Sequence, residues 1–278
     1  MKRLAVLGHP VAHSRSPAMQ TAALDALGLA GEWSYEAIDI APTEFAARTR
    51  ALAGEGFAGA NVTIPHKRAA LELADTASTA SREIGAANTL SFAEGEISAE
   101  NTDAPGLLAA LGKRPAGKRA LVLGAGGSAR AAAWALAREG AEVEIWNRTP
   151  ERADELTRDL SRALGGSGDL PLLSAVSGAQ ARAAAYELIV NCTAVGLEGD
   201  EDPFAALPLD RAAISKRMTL VDFAYGDRET ALTRAAREGG ARVVDGLELL
   251  VRQGAESLRI WTGERAPLDV MREAARRG

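Results

Sequence analysis

The stretch ALVLGAGGSA at residues 120–129 decides the fold of this chain. Its leading apolar residues predict a buried strand, and the Ala-rich run after the glycines predicts a helix. Between them, Gly124 permits a tight turn, Gly126 lets the backbone approach a pyrophosphate, and the small Ala129 allows close packing of helix on strand. A glycine-rich turn can also be a simple connection. Its place inside a strand–helix–strand unit, however, favours a dinucleotide site of the Rossmann type.

The end of the next predicted strand, at residues 142–146, indicates which dinucleotide would bind. An NAD enzyme usually places Asp or Glu about 20 residues past the glycines, where it accepts from the ribose 2′-hydroxyl. This chain has Asn147-Arg148-Thr149 there, with Arg152 one turn further along. A guanidinium can bind a 2′-phosphate, and cations at a helix N-terminus are otherwise unfavourable. The alternative is that both arginines are solvated residues at the start of a helix, but the pattern favours NADP.

Strand and helix patterns also alternate on both sides of this unit, which predicts an α/β protein with parallel strands and helical crossovers. Ser16 is the expected N-cap of the first helix, with Pro17 at its first position, and Gly28 is expected to end it. Further strands are predicted at residues 4–7, 33–38, 59–63, 188–190 and 219–223, and helices at 16–27, 43–53 and from the glycine loop to 138.

The chain also contains segments that interrupt the alternation. Residues 87–92 and 96–100 flank Glu94-Gly95 and predict a β-hairpin. The charged segment with Pro and Gly at residues 113–118 predicts a linker, and residues 164–184 permit no assignment.

Length and composition exclude several classes of protein. The 278 residues suggest one large domain or two modest ones, and the net charge of −5 argues against a nucleic-acid surface. The single cysteine, Cys192, excludes an intrachain disulfide and a thiolate zinc cluster, and the three histidines offer no metal site. No apolar run is long enough for a membrane span, and the first one is too short for a signal peptide. We therefore expect a cytoplasmic protein without membrane or nucleic-acid partners.

Three predicted loops carry small polar side chains: HSRSP at 13–17, NVTIPHK at 61–67 and NTD at 101–103. Lys67 stands where a helix after Pro65 would begin, an unfavourable place for a cation, and a lysine so placed suits proton transfer. The alternative is an ordinary exposed lysine. Asp103 could equally be the N-cap of the next helix, and Ser14 and Ser16 could be capping residues only.

With these stretches and several others in order, the chain resembles the shikimate dehydrogenase family over nearly its whole length. The matching motifs are GHPVAHSRSP at 8–17, NVTIPHK at 61–67, GAANT at 85–89, NTD at 101–103, GAGGS at 124–128, NRT at 147–149, NCTAVG at 191–196, DFAY at 222–225 and DGLELLVRQ at 245–253. The chain departs from the pattern at His66, where many relatives carry Phe, and at Ala224, where a larger residue is common.

The resemblance implies reversible reduction of 3-dehydroshikimate to shikimate with NADPH, on the chorismate route to aromatic amino acids. By matched position, Lys67 and Asp103 are the catalytic pair, and Ser14 and Ser16 bind the substrate carboxylate. The other implied substrate-binding residues are Asn61, Thr63, Asn88, Tyr225 and Gln253. The implied cofactor-binding residues are Gly124, Ala125, Gly126, Gly127, Ser128, Asn147, Arg148, Thr149, Arg152, Asn191, Thr193 and Gly246.

The resemblance also implies two α/β domains with a cleft between them. Residues 1–103 and 247–278 would form the substrate-binding and catalytic domain, and residues 104–246 a Rossmann-type NADP domain. The C-terminal helices would return to the first domain and bring Gln253 to the pocket, in a monomer or homodimer. The alternatives are a quinate/shikimate dehydrogenase with broader cofactor use and a non-catalytic NADP- or shikimate-binding regulator. Ser16 and Arg148 argue against the former, and the presence of Lys67 with Asp103 argues against the latter.

Overall fold

The computed structural model describes residues 1–165, 173–183, 185–196, 202–226 and 228–277. The chain forms two compact units, of which the first comprises Met1–Gly106 with Leu250–Gly278 and the second comprises Leu107–Leu249. Each unit has a six-stranded sheet with helices around it. The α/β fold class and the return of the C-terminal helices to the first unit are therefore confirmed.

The sheet of the first unit is mixed, and its strands are β1 (Lys2–Gly8), β2 (Trp33–Asp39), β3 (Phe57–Val62), β4 (Thr76–Ala77), β5 (Thr89–Ala93) and β6 (Glu96–Glu100). They lie in the order β2-β1-β3-β5-β6-β4. β1 pairs parallel with β2 and β3, whereas β5 pairs antiparallel with β3 and β6. Because β1 and β3 are parallel neighbours, the loops that follow them lie at the same edge of the sheet.

Five helices accompany these strands: α1 (Ser16–Ala26), α2 (Phe45–Gly54), α3 (Lys67–Leu73), α4 (Thr79–Ile84) and α5 (Asp103–Leu111). α5 continues across the boundary between the units. Its later residues Leu107, Ala110 and Leu111 belong to the apolar core of the second unit. The predicted linker at residues 113–118 is consequently the loop between α5 and the next strand, inside the second unit, and does not separate the units.

The sheet of the second unit is entirely parallel, with β7 (Arg119–Leu123), β8 (Glu142–Trp146), β9 (Leu173–Ala175), β10 (Leu188–Asn191), β11 (Thr219–Asp222) and β12 (Arg242–Val244). Its order is β12-β11-β10-β7-β8-β9. The chain order reverses direction between β7 and β10, and ligands of doubly wound sheets bind outside the carboxyl ends of the strands at such a point. This is the Rossmann arrangement predicted from the glycine loop.

The remaining helices are α6 (Gly127–Arg138), α7 (Pro150–Leu164), α8 (Gly178–Ala183), α9 (Pro203–Ala206), α10 (Ala231–Glu238), α11 (Gly246–Thr262) and α12 (Leu268–Arg277), with a short 3₁₀ helix at Arg211–Ala213. α6 lies close to the sheet because Ala129, Ala132 and Ala133 are fully buried and small. Of the unassigned stretch at 164–184, β9 and α8 are seen, while residues 166–172 and 184 lie outside the described residues.

The predicted cap of α1 is wrong, and so is the alternative that Asp103 caps α5. Arg15, not Ser16, takes the N-cap position of α1, because Ser16 is already helical and its N–H donates to Ser14 Oγ at 3.3 Å. At α5 the capping oxygen is Asn101 Oδ1, which accepts from the Ala104 N–H at 3.1 Å. Asp103 is the first residue of that helix, and its carboxylate is engaged elsewhere.

Two predicted turns are confirmed. Gly28 follows α1 with a φ of +73°, in the left-handed region that favours glycine. The hairpin of β5 and β6 turns at Glu94 and Gly95, whose φ values are +53° and +83°. Left-handed φ at both central residues is the geometry of a two-residue turn between twisted strands. No helix in the described part of the chain is long and apolar enough to cross a membrane.

Candidate active site

In the first unit, Lys67 and Asp103 form an ion pair. α3 begins at Lys67 and α5 begins at Asp103, and the Lys67 Nζ lies 2.5 Å from Asp103 Oδ2. The two side chains are only 12% and 5% exposed. Coulombic attraction is stronger where water is largely excluded, so each charge holds the other in place. The interpretation of Lys67 as an ordinary exposed lysine is therefore wrong.

The second carboxylate oxygen of Asp103 is held by Asn88. Asn88 Nδ2 donates to Asp103 Oδ1 and to Thr102 Oγ1, each at 2.9 Å, and lies 3.2 Å from Gln253 Oε1. The side-chain oxygen Oδ1 of Asn88 accepts from the Thr102 N–H at 2.7 Å. The structure thus brings four predicted site residues, Lys67, Asp103, Asn88 and Gln253, into one hydrogen-bonded cluster.

A close approach of α5 to α11 makes this cluster possible. A Cβ atom at Gly106 would lie 2.9 Å from the backbone nitrogen of Gln253, a distance that real Cβ atoms essentially never show. Only glycine at position 106 therefore lets α11 approach the start of α5. Gln253 Nε2 donates to the Leu250 carbonyl at 2.8 Å, which orients its amide oxygen toward Asn88.

Asn61, at the end of β3, lies in a buried polar layer next to this cluster. Its Oδ1 accepts from the Tyr35 hydroxyl, and its Nδ2 donates to Ser257 Oγ, both at 2.8 Å. Thr89 Oγ1 lies 2.8 Å from the same serine oxygen. Sequence reasoning missed Tyr35, Thr89 and Ser257, although Ser257 follows Gln253 by one helical turn and Thr89 follows Asn88 directly.

Ser14 and Thr63 lie in the loops that follow the parallel strands β1 and β3, and Ser16 begins α1 where the first of these loops ends. Ser16 is buried, whereas Ser14 and Thr63 are half-buried. The two loops are in contact, because the His9 N–H donates to the Ile64 carbonyl at 3.0 Å. These hydroxyl groups are therefore at the edge of the sheet where a ligand would be expected.

Two histidines of this unit, His9 and His66, make structural contacts. His9 Nδ1 lies 2.6 Å from Asp39 Oδ1, and this hydrogen bond lowers the pKa of the Asp39 carboxyl. Asp39 Oδ2 also accepts from the Val11 N–H at 3.1 Å, so this side chain holds the loop that leads to Ser14. His66 is buried and stacks on Phe45 with ring centroids 4.3 Å apart, and burial lowers its pKa. His66 therefore packs in the interior of this unit.

In the second unit, the glycine loop follows β7 and turns at Gly124. Gly124 has a φ of +109°, and a Cβ there would lie 3.1 Å from the Cys192 carbonyl oxygen. Gly126 is the N-cap of α6, and a Cβ there would meet nothing within 4 Å. Space in front of a helix start without a capping side chain suits a phosphate group. Ala125, Gly127 and Ser128 complete the loop and are half-buried.

The segment after β8 contains the predicted cofactor-selecting residues. Asn147 Nδ2 donates to the Thr149 carbonyl at 2.9 Å, which shapes the turn into α7. Arg148 precedes α7 and Arg152 lies in its first turn, and both are exposed. The geometry leaves both guanidinium groups accessible to an anion.

The loop after β10 is arranged by a buried amide. Asn191 Nδ2 donates to Asp222 Oδ1 at 2.9 Å, and its Oδ1 accepts from the Thr193 hydroxyl at 2.7 Å. Asp222 also accepts from the Thr230 hydroxyl at 2.7 Å. Burial raises the pKa of Asp222 to about 6. Asn191 therefore supports this loop. Cys192 and Thr193 of the loop lie next to Gly124 of the glycine turn.

Tyr225 and Gly246 line one pocket of the second unit, together with Thr230, Thr233 and Arg237. Gly246 begins α11, and a Cβ there would lie 2.6 Å from the Ala224 carbonyl oxygen. The start of this helix can lie against the segment after β11 only because residue 246 is glycine. Among the described residues, no group of three or more His, Cys, Asp or Glu side chains is arranged to hold a metal ion.

Comparison with family models gives matches along most of the chain. Residues 6–90 match the shikimate dehydrogenase substrate binding domain. Residues 108–194 match the model described as shikimate/quinate 5-dehydrogenase, and residues 246–276 match the shikimate 5′-dehydrogenase C-terminal domain.

Individual relatives agree with these models. Shikimate dehydrogenase (NADP(+)) from Anaeromyxobacter sp. strain Fw109-5 is 44% identical over 272 residues, covering 97% of this chain and 94% of the relative. A protein of the same name from Thermus thermophilus is 45% identical over 100% of this chain and 98% of its own. The crystal structure of a T. thermophilus shikimate 5-dehydrogenase in complex with NADP(H) and shikimate is 43% identical, with a TM-score of 0.85 over 100% of this chain and 99% of that chain. The chain therefore belongs to the shikimate dehydrogenase family.

Proposed function

We propose that this protein reduces 3-dehydroshikimate to shikimate with NADPH, reversibly, as a step of aromatic amino-acid biosynthesis. The observation that carries the proposal is the buried Lys67–Asp103 ion pair, whose carboxylate is also held by Asn88. The presence of this pair in a chain that belongs to the shikimate dehydrogenase family favours catalysis over mere binding.

The chemistry requires a proton donor at the carbonyl oxygen. NADPH, when bound, supplies the hydride to the ring carbon. As negative charge builds on the oxygen, the Lys67 ammonium stabilises it and delivers a proton. In the reverse direction Lys67 accepts the proton of the ring hydroxyl. Asp103 holds the ammonium within 2.5 Å and orients the substrate hydroxyl.

Recognition of the substrate is assigned to the polar groups around this pair. Asn88 and Gln253 carry amides that can donate to and accept from ring hydroxyls, with Thr63 as a further hydroxyl contact. Asn61 supports these substrate-binding residues through its hydrogen bonds to Tyr35 and Ser257. Ser14 and Ser16 would donate to the carboxylate of the substrate.

The residues of the second unit fit NADP. The open space at Gly126 leaves room for a pyrophosphate at the start of α6, with Gly124, Ala125, Gly127 and Ser128 forming the turn. The exposed guanidinium groups of Arg148 and Arg152 would bind the 2′-phosphate, beside Asn147 and Thr149. Thr193 and Gly246 would line the cofactor site, Asn191 would hold its loop, and Tyr225 would contact the substrate at the rim of the pocket.

The assignment of roles to chain segments belongs to the same proposal. Residues 1–103 with 247–278 would bind the substrate and carry the catalytic pair, and residues 104–246 would bind the cofactor. We place the reaction in the cytoplasm.

A steady-state comparison of shikimate and quinate, each with NADP and with NAD, tests the function. We expect turnover that is fastest with shikimate and NADP. Comparable turnover of quinate, or equal use of NAD, would instead support a quinate/shikimate dehydrogenase. Tight binding of shikimate or NADP without turnover would support a non-catalytic regulator and contradict the proposal.

A further inference from the structure

Ser257 is the meeting point of the buried polar layer in the first unit. It is fully buried on α11, and its hydroxyl donates to the Gln253 carbonyl at 3.0 Å. The same oxygen accepts from Asn61 Nδ2 at 2.8 Å and lies 2.8 Å from Thr89 Oγ1 and 3.1 Å from Thr102 Oγ1. One side chain therefore contacts β3, β5, the residue before α5, and its own helix.

Each of these contacts is next to a residue that the proposed function assigns to the substrate. Asn61 is such a residue itself. Thr89 follows Asn88, Thr102 precedes Asp103, and Gln253 stands one helical turn before Ser257. The groups proposed to surround the ring hydroxyls come from segments far apart in the chain, and the Ser257 side chain contacts each of these segments.

We propose that Ser257 is a positioning residue that sets the hydroxyl specificity of this site, an inference that rests on the proposed function. Fixed amides and hydroxyls discriminate strongly against a substrate that lacks a matching hydroxyl, because the buried polar groups are then left unpaired. Without the Ser257 oxygen, Asn61 loses its closest acceptor, and Thr89 and Thr102 lose a shared partner. The substrate-binding side chains can then rearrange, and the site discriminates less well against a substrate that lacks a hydroxyl.

The test compares kcat/KM for shikimate with kcat/KM for an analogue that lacks one of the non-reacting ring hydroxyls. We expect Ser257→Ala to lower kcat/KM for shikimate about tenfold and that for the analogue less than about threefold, since a lost buried hydrogen bond has an effect of this order. KM for NADP stays within about twofold of the parent value, because Ser257 supports only residues that are proposed to bind the substrate. The ratio between the two substrates is a readout that a loss of folded protein does not change.

Two further variants separate hydrogen bonding from volume and from helix stability. Ser257→Cys retains nearly the same side-chain volume with a weaker hydrogen-bonding group, and we expect its substrate ratio to fall as in Ser257→Ala. Thr262→Ala removes a hydroxyl of the same helix that donates to the Leu258 carbonyl at 2.8 Å, and we expect its ratio to equal that of the parent.

An unchanged ratio in Ser257→Ala and Ser257→Cys, with equal losses for both substrates, would overturn the inference and leave Ser257 with a structural role only. A parental ratio in Ser257→Cys alone would assign the effect to packing and also overturn it. If the parent enzyme does not turn over shikimate, the proposed function fails, and this inference fails with it. An active parent with an unaffected Ser257→Ala variant contradicts the inference alone.

Discussion

The candidate site of the first unit is centred on hydrogen-bonded side chains, whereas that of the second unit is centred on a glycine turn of the backbone. Around Lys67 the structure has a buried network of hydrogen bonds between side chains. The single side chain of Asn88 contacts Asp103, Thr102 and Gln253 in this network. Around Gly126 the turn depends on the positive φ of Gly124 and on the lack of a side chain at both glycines. Arg148 and Arg152, which follow the next strand, are exposed.

This difference indicates how each site obtains its specificity. A set of fixed polar side chains recognises a small molecule with several hydroxyls, because each unpaired buried group is costly. A backbone turn at a helix start recognises the phosphate part of a cofactor, which does not require particular side chains. Substitutions in the first unit should therefore affect chemistry and substrate choice, and those in the second unit should affect the cofactor KM.

The largest expected effect is that of Lys67→Ala. Loss of a positioned general acid lowers kcat by about 10²–10⁴-fold, and we expect KM for shikimate to change little. Steady-state kinetics in both directions measures this. Near-normal turnover would remove Lys67 from the mechanism.

Lys67→Arg is the matched control for charge. A guanidinium can keep the ion pair with Asp103, but it remains protonated and cannot exchange the proton with the substrate. We expect kcat to stay low in this variant while the thermal unfolding temperature stays close to that of the parent. Recovery of turnover would show that Lys67 acts only through its positive charge.

The second unit is tested most directly by Gly126→Ala. Apart from the adjacent residues of the chain, no atom of the protein lies within 4 Å of the added methyl group, so the variant should fold normally. The methyl group would instead occupy the space proposed for the pyrophosphate. An overpacked contact costs about 1–3 kcal/mol, which corresponds to an increase of about fivefold to 150-fold in KM for NADP.

Gly31→Ala is the matched control, since Gly31 is exposed in the first unit and a Cβ there also meets nothing within 4 Å. We expect it to leave both KM values unchanged. Parental cofactor kinetics in Gly126→Ala would mean that the cofactor phosphates do not approach this turn.

The buried carboxylates of the two units also differ. Asp103 is paired with a cation, whereas the donors to Asp222 are the neutral side chains of Asn191 and Thr230 and the Ala224 N–H. The pKa of Asp222 is raised to about 6 from 3.8, so the folded protein binds this proton more tightly than the unfolded chain. The resulting stability is fully present below the ordinary pKa and is lost as the pH rises through about 6.

We therefore expect the parent to lose stability relative to Asp222→Asn between pH 5 and pH 7.5. The loss should be about tenfold in the unfolding equilibrium constant, because each pKa unit corresponds to about 1.4 kcal/mol. Urea unfolding of both proteins at the two pH values measures this. The exposed Asp210→Asn is the control and should track the parent; an identical pH response of parent and Asp222→Asn would contradict the shift.

Local patterns were sufficient to predict the second unit's glycine turn, because its residues are contiguous and the turn depends on their own backbone geometry. The strand–turn–helix around Gly124 and Gly126 was confirmed. The Glu94-Gly95 hairpin turn was confirmed for the same reason, since the left-handed φ values belong to the turn itself.

The first unit's cluster depends on contacts between segments far apart in the sequence, and only the family resemblance indicated which residues meet. Asp103 and Asn101 both suit the start of a helix, and local rules did not distinguish the cap from the charged partner of Lys67. Ser257 was missed because nothing in its own neighbourhood shows that α11 approaches α5 at Gly106.

The smallest expected effect belongs to Arg148, whose role depends on a side chain in solvent. Exposed ion pairs contribute up to about 1 kcal/mol, so Arg148→Ala should raise KM for NADPH only about fivefold. The effect should be selective, because NADH lacks the 2′-phosphate and its weaker use should be nearly unchanged. Arg162→Ala, an exposed arginine near the other end of α7, should alter neither KM. An equal loss with both cofactors would show that Arg148 contributes to the structure of the loop and not to the choice of cofactor. Of the two arginines proposed to bind the 2′-phosphate, Arg152 would then remain.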